Sequence, residues 1–257
     1  GTTNYILTKM SREGCAYEAT LKEAQELGYA ERNPEADVEG FDACRKIAIL
    51  TSLAFGSTVN FEDITTEGIT KITTEDFKYA EKLGCVVKLF ATSTKKDGKV
   101  YAMTAPFMID STHPLYNVND VLNGIYVNGN VIGDVMFFGA GAGKLPTASA
   151  VVADVIDCAR HMGRKKPLGW GEAVENYVVD YKTAVNPLYI RAEVTDRANA
   201  LQDVVSTIGK VQVLEFAGCK SNELAFVTSA MAEGELTEKL NSISSISIKS
   251  LIRVTDY

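Results

Sequence analysis

The sequence predicts an α+β protein: a helix-backed domain with a mixed or antiparallel sheet, followed by a smaller unit of order βαββαβ. Three patterns carry that expectation. Residues 86–92 and 100–107 are apolar-rich runs flanking Lys95-Lys-Asp-Gly98, a hairpin turn signature. Residues 124–127 and 131–138 flank Asn128-Gly-Asn130 in the same way. From Asn186 onward, strand-like alternation and helical spacing succeed one another as β, α, β, β, α, β, the ferredoxin-like split plan.

Taken in order, residues 2–10 and 16–27 read as helices separated by Ser11-Arg-Glu-Gly14, the second with Tyr17, Leu21, Ala24 and Leu27 as its apolar stripe. Gly40 punctuates the chain before Phe41, Cys44, Ile47, Ala48 and Leu50, whose near-3.6 spacing predicts a helix over 41–54, ended by Phe55-Gly56. Thr73-Thr-Glu-Asp76 has the form of an N-cap ahead of a helix over 77–83, and Gly84 is its stop. Between the hairpins a short helix is expected over 118–122. Both hairpins are expected to join one large sheet with helices on one face. Met136-Phe-Phe-Gly-Ala-Gly-Ala-Gly143 ahead of residues 147–159 reads as strand, glycine loop, helix. The basic, glycine-rich stretch 163–171, which holds the lone Trp170, reads as a linker or exposed loop. In the last unit the strands fall at 188–194, 212–216, 224–228 and 246–254, and the helices at 198–208 and 233–242.

Composition narrows the function classes. With 257 residues and 46% hydrophobic content the chain can bury one or two ordinary cores. A net charge of −7 argues against nucleic acid as a partner. The five cysteines are far apart and odd in number, so they read as buried thiols of a reducing compartment. No apolar run approaches the roughly 20 residues that span a bilayer. A cytoplasmic protein with no membrane partner is the expectation.

The chemistry concentrates in residues 28–50. Glu31, Glu35, Asp37, Glu39 and Asp42 crowd a short loop, and Arg45 and Lys46 follow just inside the apolar helix. Asp42 and Lys46 stand one turn apart on one face. Such a pair is either an ordinary ion pair on a solvated face or, with one member partly buried, an amine held by carboxylates that can give or take a proton. The glycine loop is likewise either a tight turn or a ligand loop, because Lys144 interrupts the full dinucleotide fingerprint. His113, in Thr112-His-Pro-Leu115, and His161, at the end of the helix that follows the glycine loop, read as turn and helix C-terminal residues, so no metal is expected.

Gly28-Tyr-Ala-Glu31, Asn33-Pro34, Asp37 and Gly40-Phe-Asp-Ala-Cys-Arg-Lys46, together with the opening Gly1-Thr-Thr-Asn-Tyr-Ile and the later Gly139-Ala-Gly-Ala-Gly-Lys-Leu-Pro-Thr-Ala-Ser-Ala150, resemble homoserine dehydrogenase. The resemblance implies a substrate and dimerisation domain over 1–138, a glycine loop and helix over 139–165 returning to a nucleotide-binding domain that would precede Gly1, and a linker over 166–185. It implies NAD(P)-dependent interconversion of aspartate 4-semialdehyde and homoserine, a step of threonine and methionine biosynthesis. Lys46 would give the proton and Asp42 would position it. Glu31 and Asp37 would hold the substrate's ammonium, with Tyr29 and Thr2 beside them, and Gly143 would touch NADP or NAD, bound mainly by the preceding domain. The residues selecting between the two cofactors would also lie there.

Over 186–257 the plan, with Thr195-Asp196-Arg197 at the first strand-to-helix turn, resembles the ACT regulatory domain. That implies an effector, threonine first, near Asp196, Asn199 and Leu201, with Asn199 departing from the family's usual glycine. A homodimer or larger assembly is implied as well. The other readings are a catalytically inactive oligomerising and amino-acid-sensing module, or a stand-alone amino-acid-binding protein.

Overall fold

A computed structural model describes residues 1–164 and 166–255; Lys165 of the basic stretch, and Asp256 and Tyr257 at the end of the last unit, lie outside the described residues. The chain opens with α1 (Thr2–Glu13) and α2 (Tyr17–Glu26), which meet at Gly14, a left-handed residue whose N–H closes α1 on the Met10 carbonyl. The one-turn α3 (Glu35–Val38) leads to α4 (Phe41–Phe55), which runs between Gly40 and Gly56, both left-handed, and buries Cys44, Ala48, Thr51 and Ser52. The short strands β1 (Ser57–Thr58) and β2 (Thr65–Thr66) precede α5 (Thr74–Lys82). Asp76 caps α5 reciprocally with Thr73, as its sequence signature predicts.

The first hairpin pairs β3 (Cys85–Lys96) with β4 (Lys99–Asp110) around Asp97-Gly98, both at positive φ as a two-residue turn requires. Next come β5 (Leu122–Gly129), β6 (Gly133–Ala140), α6 (Lys144–Arg160), β7 (Gly171–Ala173) and β8 (Val185–Asn186). The last unit comprises β9 (Leu188–Val194), α7 (Arg197–Ile208), β10 (Val211–Leu214), β11 (Glu223–Thr228), β12 (Met231–Ala232), α8 (Glu233–Asn241) and β13 (Ile246–Thr255). Among the described residues no helix is long and apolar enough to cross a membrane.

The strands β10, β11, β9 and β13 lie side by side in that order, all antiparallel, which is the arrangement of the split βαβ plan. Their sheet does not stop there. β13 runs parallel to β4, with Arg253 opposite Phe107, and β2 also runs parallel to β4, with Thr66 opposite Thr104. One seven-stranded mixed sheet therefore joins the two halves of the chain. A shared core follows: Ile6, Leu7 and Met10 of α1 belong to the same apolar cluster as Tyr189, Leu214 and Ile252.

A buried polar network crosses the same boundary. Arg191 on β9 donates to Asp76 on α5 (Nε to Oδ1, 2.8 Å), to Glu223 on β11 (3.0 Å) and to the hydroxyls of Thr73 and Ser250. Tyr79 and Tyr189 donate to Glu223 and Asp76 respectively, so both carboxylates are multiply held where water does not reach.

Three expectations are corrected. Residues 118–122 are not a helix: Asp120 has φ 59, and Lys88, a buried lysine on β3, takes the Val118 carbonyl and Asn119 Oδ1 for its own ammonium. Asn4 Oδ1 completes that cage, and burial, with Arg12 adding, pushes the Lys88 pKa down to about 8. The second hairpin turns at Asn130-Val-Ile132, with Gly129 opposite Gly133, because Gly133 supplies the positive φ that closes a three-residue loop. Finally, β5 and β6 form a sheet of their own. β3 lines one edge of β4, and β2 and β13 occupy the other, so β4 has no edge left for the second hairpin.

The stretch expected to be a linker is partly tied down. Gly171 and Ala173 of β7 pair with β1, Val178 bridges to Val100, and Tyr177 is buried.

Candidate active site

Five of the residues singled out around residues 28–50 and the chain's opening converge at the start of α1. The Thr2 hydroxyl lies 2.7 Å from Asp37 Oδ2 and 2.8 Å from the Tyr29 carbonyl, so its one proton serves either acceptor and ties α1 to both loops. The Tyr29 ring packs on Tyr5 at 4.9 Å between centroids. Lys46 and Asp42 make the one-turn ion pair, Nζ to Oδ2 2.6 Å, with Lys46 exposed and Asp42 half-buried. They adjoin the same place. The charges of Lys46, Asp37 and Asp42 are all felt at the Gly1 nitrogen, which places the three side chains around the start of α1. One ammonium and two carboxylates thus surround the first residues of α1. Glu31 stands apart from these contacts: its side chain is exposed, and its carbonyl accepts from Gln25.

The local sequence explains the convergence. Gly28 takes φ 78, so the chain can reverse after α2 and return Tyr29 and Ala30 N–H groups to the Ala24 carbonyl. Gly40 at φ 81 then turns α3 into α4, which sets Asp42 in the first turn of α4 and Lys46 one turn on.

The glycine loop arrives beside this cluster through Asn123, which the sequence reading missed. Asn123 Oδ1 accepts from the Gly1 nitrogen at 3.0 Å, and a Cβ on Gly141 would lie 2.5 Å from Asn123 Nδ2. A side chain at 141 would have to displace the Asn123 amide. A Cβ on Gly139 would meet nothing, and Gly143 takes φ 117 just before α6, so the backbone is uncovered at these two positions near a helix start. Gly143 is exposed. No residue of α6 is buried, and Val151, Val152, Val155 and Ile156 are exposed, as expected for a helix that turns an apolar face outward.

At the other end of the chain, Asp196 caps α7 by accepting from the N–H groups of Ala198 (2.9 Å) and Asn199 (3.1 Å). The Asn199 amide folds back onto the second carboxylate oxygen at 2.8 Å, while Leu201 packs partly buried against the core of its unit. Both oxygens of Asp196 are therefore engaged. Among the described residues no cluster of His, Cys, Asp or Glu could hold a metal ion.

The homoserine dehydrogenase family model matches residues 1–156. The chain belongs to the homoserine dehydrogenase family. The homoserine dehydrogenase of Bacillus subtilis is 34% identical over 99% of this chain, and that of Synechocystis is 50% identical over 61% of it. Among solved structures, a homoserine dehydrogenase from Thiobacillus denitrificans superposes over 100% of the chain with a TM-score of 0.90 at 30% identity. A hyperthermophilic archaeal homoserine dehydrogenase mutant in complex with NADPH superposes over 64% of it, with a TM-score of 0.51 at 30% identity. The chain spans 61% of the B. subtilis protein and 62% of the T. denitrificans one, about three fifths of a family member.

Proposed function

We propose that this chain carries the substrate site of an NAD(P)-dependent homoserine dehydrogenase, which interconverts aspartate 4-semialdehyde and homoserine. The convergence of Lys46, Asp42, Asp37 and Thr2 at the start of α1, with the glycine loop beside them, is the observation that carries this reading. Bound NAD(P) would supply or accept the hydride, and Gly139, Gly141 and Gly143 would let its nicotinamide end approach. Lys46 moves the proton at the substrate oxygen, and its ammonium polarises that oxygen as a carbonyl. Asp42 holds Lys46 in place. Asp37, fixed by Thr2, and Glu31 hold the substrate's ammonium and so orient its reacting carbon, with Tyr29 lining the same loop.

A dinucleotide reduction assay with homoserine on the full-length enzyme tests the reading. Glu31→Gln is expected to raise the KM for homoserine about tenfold, the loss of one charge-assisted hydrogen bond. Its melting temperature should not move, since the Glu31 side chain is exposed. An unchanged KM assigns Glu31 to solvent.

The regulatory half of the proposal is that residues 186–255 act as an ACT-type unit of a homodimer or larger assembly that takes threonine at Asp196, Asn199 and Leu201. Exposed Ile125, Val127, Met136, Phe137 and Phe138 on the separate β5–β6 sheet support association, because an uncovered apolar strand pair calls for a partner surface. Calorimetry with threonine on the folded protein should give heat, and light scattering should give at least twice the chain mass. No heat removes the effector, and a monomer removes the assembly.

A further inference from the structure

We propose that Arg253 and Glu67 are positioning residues for the substrate site: their ion pair sets the place of the Val38–Gly40 turn, and with it Asp37 and the start of α4. The kinetic half of the inference rests on the homoserine dehydrogenase reading above; the geometry does not.

β2 and β13 reach β4 end to end along one edge. β2 pairs at Met103 and Thr104, β13 pairs from Phe107 to Ile109, and the Glu67 N–H extends the β2 ladder by donating to the Thr104 carbonyl at 2.7 Å. Glu67 and Arg253 therefore meet at the seam between the two strands. There Arg253 grips Glu67 with two guanidinium nitrogens, Nη1 to Oε2 and Nη2 to Oε1, the latter at 2.7 Å. Its Nε and Nη2 hold Glu233 at the start of α8, at 3.1 and 2.8 Å. Arg253 is 1% exposed and Glu233 2%. A planar fork bound on two sides fixes direction as well as distance, which a flexible ammonium cannot do.

From Glu67 the chain passes to the site without slack. A Cβ on Gly68 would lie 2.3 Å from the Val38 carbonyl oxygen and 2.5 Å from Glu39 Cα, so the backbones of the two loops are in direct contact. Ile69 N–H donates to the same Val38 carbonyl at 2.8 Å, and the Cβ position of Gly40 is 3.3 Å from the Glu67 carbonyl. Val38, Glu39 and Gly40 form the turn between Asp37, which holds Thr2, and α4, which carries Asp42 and Lys46. Moving Glu67 moves that turn. A buried ion cluster of this kind is weak evidence for stability by itself, since apolar residues of similar volume often serve as well. Its position against the turn gives it a use that apolar residues would not reproduce.

The test uses the full-length enzyme as Glu67→Gln, Arg253→Met and Arg253→Lys, with homoserine and dinucleotide kinetics and amide hydrogen exchange over residues 38–44. Glu67→Gln and Arg253→Met are expected to raise the KM for homoserine about tenfold while leaving that for the dinucleotide unchanged, the mark of a displaced substrate group. Arg253→Lys should recover part of the loss. Exchange at 38–44 should quicken in the first two variants while β11 keeps its protection. Unchanged homoserine KM together with wild-type exchange at 38–44 overturns the proposal, even if the melting temperature falls, because the pair is then only a tether. If wild-type enzyme does not turn over homoserine, the functional reading fails, and exchange at 38–44 still decides whether the pair positions the turn. Should Arg253→Met not fold, Glu67→Gln decides, since the Glu67 side chain is 40% exposed and glutamine keeps its volume.

Discussion

Lys46→Ala in the full-length enzyme is expected to lower kcat by about 10²- to 10⁴-fold, the range that a positioned proton donor contributes. The KM for the dinucleotide should stay within about twofold, since in the proposed role the residue would act at the substrate oxygen, and loss of a transition-state contact appears in the rate constant. Lost stability would not account for such a drop. An exposed i,i+4 pair such as Asp42–Lys46 is worth about 0.3–0.5 kcal/mol, so the variant should melt almost where the wild type does. Lys46→Arg sharpens the result. It keeps a cation beside the carbonyl but gives up its proton far less readily, so it should restore substrate binding without restoring turnover. Asp42→Asn should fall between wild type and Lys46→Ala, because it loosens the amine without removing it. Stopped-flow or steady-state absorbance of the reduced dinucleotide reads all three, and a kcat within threefold of wild type for Lys46→Ala would return the pair to the solvated surface.

Much of this arrangement was legible because it is local. Cys44 and Ala48 are buried on the face that the 3.6 spacing predicts, Thr73 and Asp76 make the expected cap, and Asp97-Gly98 turns the first hairpin. Asp37, Asp42 and Lys46 could be grouped from the sequence because one loop and one helix turn hold them all. What escaped was set by contacts between distant segments. Nothing near Val118 announces that Lys88 will claim its carbonyl, and nothing near Phe107 announces that Arg253 will lie opposite it. Lys88 within Val-Val-Lys-Leu-Phe and Arg253 within Leu-Ile-Arg-Val were the available signals: a long cation inside an apolar strand is either an edge residue or, as here, the centre of a buried polar cage. Asn123 and Gly141 carried no comparable mark. Their meeting depends on β5 and β6 bringing residue 123 beside residue 141, and on α1 starting at the same point.

Arg191→Met is expected to destabilise the protein by about 3–5 kcal/mol, the cost of leaving buried carboxylates without their cation. Asp76 is 0% exposed and Glu223 6%. Burial works against the charge on Arg191, but its hydrogen bonds to Asp76 and Glu223 more than reverse this and raise its pKa. Met fills comparable volume, so a cavity adds little, and Thr73, Ser250, Tyr79 and Tyr189 still donate to the two acids without neutralising them. The effect should therefore arise from charge and not from packing. The triple variant Arg191→Met, Asp76→Asn, Glu223→Gln separates the two: with no charge left to strand, it should lose less than the single variant, although it carries more substitutions. Because the network joins α5 to β9, β11 and β13, the single variant should also loosen the joint between the two halves of the chain, with a lower denaturant slope if the halves then unfold separately. Urea unfolding followed by fluorescence and circular dichroism measures both quantities. A loss below about 1 kcal/mol for Arg191→Met, or a triple variant weaker than the single one, would show that the buried charges are not what the arginine holds in place.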